Sequence, residues 1–182
     1  MREKNSSKLD KNHTVYSHTL FYRYRWGFIM IGIQAVVLAS SFLFAKQQLG
    51  ATNTMMFHSL GFIPILWLLQ GLSFFTFCYA AALSPRWHID ALVSPWGGWR
   101  THNFLSIHHY QQLEWSFFMF GIAGSLFTAA WVGMVYGFFM FSFHFALSIP
   151  RILTIFRLQK WKKANSQLVI KHEHLGIGLY SI

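Results

Sequence analysis

Acidic side chains are scarce in this chain. Its 182 residues hold 5 Asp and Glu against 15 Lys and Arg, with 10 His, and charged residues make up only 11% of the whole. An average soluble domain carries about 25%, so there is too little charge to cover a water-facing globule. Cysteine occurs once, as Cys78, which excludes a disulfide framework. Proline occurs only 4 times and aromatics reach 19%, a composition that excludes an intrinsically disordered tract. Catalytic signatures are missing too: the chain has no G-x-S-x-G, no P-loop and no G-x-G-x-x-G.

Long uncharged runs take their place. Trp26 to Ala45 is free of charge and long enough for one crossing at 1.5 Å per residue. The apolar stretch from Met55 to Leu83 exceeds one crossing and is interrupted by Pro64, which predicts a tilted or kinked second span. Between Glu114 and Arg151 lie 36 uncharged residues. Two crossings fit there if the turn falls near Ala130–Gly133 and Arg151 snorkels at the inner end of the last span. The expected spans are therefore about 26–45, 55–83, 115–131 and 134–156.

Basic residues are segregated in a way that supports four crossings. Arg2, Lys4, Lys8, Lys11, Arg23 and Arg25 precede the first span, and Arg151, Arg157, Lys160, Lys162, Lys163 and Lys171 follow the uncharged part of the last. Arg86 and Arg100 lie between the second and third spans, and only Lys46 falls on the other side. The positive-inside rule then places both termini and the central loop in the cytoplasm. The expected fold is an all-α integral membrane protein: a basic leader (1–25), a four-helix domain (26–156) and a basic tail (157–182). Its first span reads as a retained helix rather than a cleaved leader. A bacterial inner membrane is the expected location. The basic face suits anionic lipid on the cytoplasmic side, and without interleaved stacking aromatics the tails do not read as nucleic-acid binding.

Three uncharged polar residues fall midway along spans: Gln34, Gln70 and His144. Each is expected to point into the bundle. One reading is interhelical hydrogen bonding; the other is a proton relay or substrate contact with His144 as the titrating member. No acid falls within the expected spans, which weighs against proton coupling. His58 and His144 differ in depth by roughly 16 Å, so a haem held between two histidines is not expected. Gly121, Ser125 and Ala129, Gly124 and Thr128, and Gly133 and Gly137 recur every four residues, forming small-residue faces for close helix packing.

The segment from Ser84 to Glu114 reads as an interfacial cytoplasmic loop. Trp87, Trp96, Trp99 and Trp115 serve there as anchors, and Pro85, Pro95, Gly97 and Gly98 break it into short pieces. From Asn103 onward it is expected to continue the third helix beyond the bilayer, with Ile107, Tyr110, Leu113 and Phe117 on one face and His108, Gln111 and Gln112 on the other. His88, Asp90, His102, His108, His109 and Glu114 are six potential ligands for a transition metal, zinc or iron. Their spacing does not match H-E-x-x-H, and surface anchoring explains the same histidines. His172-Glu173-His174 reads as a solvated tail.

Three functions remain open on these residues. One is a non-enzymatic subunit or accessory factor of a larger membrane assembly of secretion, transfer or respiratory type, packed against other transmembrane subunits. Another is a metal-dependent membrane enzyme or metal handler centred on the loop histidines. The last is a small oligomeric transporter or channel using Gln34, Gln70 and His144.

Overall fold

The computed structural model describes residues 19–89, 92, 94–162, 168–173 and 176–181, with backbone alone for residues 160–162. The leader residues 1–18, Asp90 and His174 lie outside the described residues. In chain order the elements are β1 (Thr19–Arg25), α1 (Phe28–Gln48), α2 (Asn53–Ser59), α3 (Phe62–Ala80), β2 (Pro85–Trp87), β3 (Trp99–Thr101), β4 (Leu105–Ser106), α4 (Ile107–Trp131), α5 (Met134–Lys162), β5 (Leu168–Glu173) and β6 (Gly176–Ser181). Four helical stretches are long and apolar enough to cross a membrane: Phe28–Gln48, Asn53–Ala80, Ile107–Trp131 and Met134–Gln159. The chain is a mostly helical membrane protein.

The second stretch breaks earlier than its proline suggests. Gly61 donates its N–H back to the His58 carbonyl at 3.0 Å, closing α2, and α3 restarts at Phe62. Pro64 then occupies the first turn of α3, where a missing N–H leaves no acceptor unpaired. The hairpin between α4 and α5 turns at Val132–Gly133, where Gly133 adopts φ +130°, a conformation that L side chains rarely tolerate. α5 is the most deeply packed of the four spans and α1 the least: only Gln34 and Ala45 of α1 are buried.

The expectation of an all-α chain needs correction at one end of the bundle. β1, β6, β5 and β4 form an antiparallel four-stranded sheet in that order. Its strands come from just before α1, just before α4 and after α5, so segments read as a leader, a loop and a tail are one unit. The reason is period-2 patterning too short to stand out beside the apolar runs: Leu168, Ile170 and His172 of β5 are buried while Lys171 is exposed. Leu168 and Ile170 join Tyr24, Leu105, Ile107, Ile155, Leu158, Ile177 and Leu179 in one core under the sheet. The expected solvation of this tail is likewise overturned at His172 and Glu173. His172 is buried, and Glu173 forms an ion pair with Arg23 and accepts from the Tyr180 hydroxyl at 2.9 Å.

Candidate functional site

Charge meets charge between α4 and α5. On α4 the residues spaced by three and four, Ile107, Tyr110, Leu113, Glu114, Phe117 and Gly121, form its buried face. His108, His109 and Gln112 lie on the exposed face. Glu114 shares the buried face and is only 3% exposed. Opposite it on α5 stands Arg151, 5% exposed, with its Nε 2.9 Å from Glu114 Oε2. Two expectations are thereby corrected. Glu114 is buried and paired on the inner face of α4 rather than exposed at an interfacial surface, and Arg151 does not snorkel outward but turns into the helix interface. The hairpin register causes both, because a turn at 132–133 sets 114 opposite 151.

Three aromatic side chains complete the surroundings of this pair. Trp96 is buried, and its indole N–H donates to Glu114 Oε1 at 2.7 Å. The Arg151 guanidinium carbon lies 3.7 Å from the Phe117 ring centre and 6.0 Å from that of Trp96, both within cation–π range. Tyr110 is fully buried and packs its ring on His172, 5.7 Å between centroids. His172 in turn faces Trp96 edge-on and reaches the Thr101 hydroxyl with Nδ1 at 3.3 Å. Burial, followed by the positive charges of Arg151 and Arg100, pushes the His172 imidazole down to about 3, so it is neutral at ordinary pH.

The tryptophans of the central segment are therefore more than interfacial anchors. Trp67 and Trp87 both donate to the Gly97 carbonyl, at 2.9 and 3.2 Å, and Trp99 stacks on Trp67 at 5.8 Å. These contacts fold the segment back onto α3 and carry Trp96 to Glu114. Trp115, in contrast, is half exposed on α4.

The three intramembrane polar residues are buried and serve different partners. Gln34 of α1 donates to the Ala146 carbonyl at 2.9 Å. That carbonyl lies four residues before Pro150, whose ring nitrogen has no hydrogen to offer it. Gln34 thus supplies the donor that α5 lacks. His144 Nε2 lies 3.1 Å from the Phe118 carbonyl, and the absence of a side chain at Gly121 makes room for its ring; a Cβ there would overlap it. Gln70 lies on the buried face of α3, under the Gly97 turn. Ser125 donates to the Gly121 carbonyl at 2.7 Å, Gly137 packs on Ala129, and Gly124 faces Leu69 and Met140. Gly121 and Gly137 therefore lie where α4 meets α5, Gly124 is shared between α3 and α5, and Gly133 faces open space.

The loop histidines are spread out. His88, His102, His108 and His109 are exposed, while Glu114 is buried and engaged by Arg151 and Trp96. Among the described residues no three His, Cys, Asp or Glu side chains come together as a metal site. His58, in α2, is exposed, whereas His144 is enclosed between α4 and α5.

Chemically, this arrangement is a buried, low-dielectric ion pair whose remaining hydrogen-bonding capacity is only partly used. Glu114 Oε2 and Arg151 Nε are close but poorly aligned, and Arg151 Nη1 has no protein acceptor. A guanidinium brings five donors, so most of this one's capacity is spare. No family model matches the chain, and neither a curated protein nor a solved structure matches it.

Proposed function

We propose that this chain is a non-enzymatic subunit or accessory factor of a larger membrane assembly. It would sit in a bacterial inner membrane with its sheet and both termini on the cytoplasmic side. The observation that carries this reading is how the interior polar groups are used. Gln34 repairs the backbone of α5, His144 bonds the α4 backbone, and Glu114 holds Trp96 and Arg151. Each closes a gap in the scaffold. α1 adds a second support: Phe28, Ile29 and Val36 are 92%, 79% and 65% exposed, leaving most of a membrane helix free for lipid or a neighbouring subunit. The orientation is supported by 14 of 15 basic residues, all but Lys46, falling on one side of four crossings. Pairing of β1 with β6 agrees with termini on the same side.

Extraction of the full, untagged chain from its own membrane into polymer-bounded lipid discs tests the reading. The expected particle is larger than one chain and contains the same second protein in constant ratio across preparations. Recovery of the chain alone, monodisperse and turning over a substrate, would sink it. Metal analysis of the same sample decides the alternative centred on His88, Asp90, His102, His108, His109 and Glu114: stoichiometric zinc or iron, lost when the histidines are replaced, favours a metal handler.

A further inference from the structure

The segment between α3 and α4 does not close off the end of the bundle; it runs back along α3. Trp67 donates to the Gly97 carbonyl at 2.9 Å, Gln70 lies under the same turn, and Trp99 occupies the notch at Gly71, 2.7 Å from where a Cβ would stand. Gly71 is the midpoint of α3, nine residues or roughly 14 Å from its end at Ala80. Taking the whole apolar stretch Asn53–Ala80 as the crossing puts the midpoint between Leu66 and Trp67. Gly71 then lies roughly 7 Å from it, well inside a layer about 15 Å deep on each side. On the other flank Trp96 reaches Glu114, seven residues or roughly 10 Å into α4.

We propose that β2 and β3, with the turn at residues 94–98, form a re-entrant hairpin. It enters the hydrocarbon layer from the sheet side and returns to the same side, so that Ile89 and Leu92 meet acyl chains instead of water. Depth along α3 is the first support, and the backbone is the second. Non-helical chain survives in hydrocarbon only where protein satisfies its polar groups, and the carbonyls of this turn are satisfied. Ser94 accepts from the Gly97 N–H at 2.9 Å, Trp96 from Trp99 at 3.0 Å and Gly98 from His88 at 3.0 Å, while Gly97 takes two indole donors, Trp67 and Trp87. Residues 94–98 are all buried, and Pro85 has no N–H to leave on the open edge of β2. The outward side chains supply the third support. Ile89 is 75% exposed and Leu92 is exposed too, and between Arg86 and Arg100 the only charged residue is Asp90. Phe75, half exposed on α3, packs edge-on against Trp99 and continues the same apolar side. A loop lying on the surface would need neither two indoles on one carbonyl nor a notch in α3.

Single cysteines in the full chain, in a Cys78→Ala background in nanodiscs, test this. Ile89→Cys and Leu92→Cys are compared with Val36→Cys on the exposed side of α1 and His108→Cys on the exposed face of the first turn of α4. A thiol reacts as its thiolate, which apolar surroundings suppress, so both hairpin sites should react with a charged maleimide about tenfold more slowly than His108→Cys. Nitroxides attached to the same thiols before reconstitution should collide with oxygen and not with a water-soluble nickel chelate, as at Val36. Gly71→Leu places a side chain where the Trp99 ring lies. It should shift both hairpin sites towards the His108 values while Val36 stays put, and if that variant fails to fold, the parent values carry the test. A water-like rate or nickel collision at either site overturns the proposal, because the segment then lies at the surface. So does slow labelling with little oxygen collision, which would put the two residues inside protein. Hairpin values that a monodisperse Gly71→Leu variant leaves unchanged overturn it as well.

Discussion

At the sheet end of the bundle, α4 and α5 are joined by Glu114, Arg151 and the indole of Trp96. At the far end the same two helices meet with Gly137 against Ala129, and α1 adds Phe42, 4.9 Å from the ring of Phe139 and 5.9 Å from that of Phe143. The far end has the contacts expected where both helices and lipid are apolar: close backbones and interlocked rings, with dispersion rather than water exclusion as the attraction. The sheet end must also attach a water-facing layer to membrane helices. An apolar contact can slide along a helix, whereas Trp96, Glu114 and Arg151 fit in one register only. The contrast suggests that packing supplies adhesion at one end and the ion pair supplies alignment at the other.

Removing one charge breaks the comparison most forcefully. Glu114→Leu leaves Arg151 buried without its counter-charge, and the expected loss is about 3–5 kcal/mol. Glu114→Leu combined with Arg151→Leu removes both charges and should recover most of that loss, in equilibrium unfolding from mixed micelles. If the double variant is as unstable as the single, the pair is not what aligns the sheet end. At the far end, Phe139→Ala opens a cavity in a fully buried position. Because lipid tails are as apolar as the phenyl ring, the transfer part of the usual cost should largely vanish. What remains is the cavity part, about 2 kcal/mol for a void of roughly 100 Å³. A loss as large as that of Glu114→Leu would erase the distinction between the two ends.

Acid should separate them in a different way. The folded-state value of about 3 for His172 lies below the ordinary 6.5. Between those values the unfolded chain takes up a proton that the folded one refuses. Stability from this residue is therefore complete above pH 6.5 and falls as pH drops towards 3, by up to about 1.4 kcal/mol per pH unit. Hydrogen exchange should show β5 and β6 loosening through this window while the Phe42–Phe139 end keeps its protection. His172→Phe should flatten the dependence. Equal loosening at both ends would place the titration elsewhere.

Much of this was legible in the residues and some was legible but unread. Uncharged runs give the four spans, because a helix in lipid must be apolar along its whole length. The ion pair could have been found as well. Reflecting Glu114 through a turn at 132–133 lands on Arg151, and the same reflection takes Gly121 to His144. The pairing needed only the turn already expected at Ala130–Gly133. The sheet was harder to see, since its strands are two to seven residues long and come from three separated segments. Such pairing depends on long-range closure and leaves little local pattern. Nothing in the local sequence marks Trp96 as the donor to Glu114, because an interfacial tryptophan and a buried one look alike until the loop is folded.

The smallest expected effect concerns α1, which belongs fully to neither end. Its one buried polar side chain, Gln34, reaches the Ala146 carbonyl that Pro150 leaves without a donor. Interhelical hydrogen bonds of this kind are worth about 0.6 kcal/mol on average and up to about 1.7, so Gln34→Leu should cost no more than that. Pro150→Ala offers the sharper control, because an alanine N–H restores the helix's own bond to Ala146 and leaves Gln34 redundant. In that background Gln34→Leu should be nearly neutral in the same micelle unfolding assay. If it remains as costly as before, Gln34 does more than complete the backbone of α5, and the side chain's place in the scaffold reading must be given up.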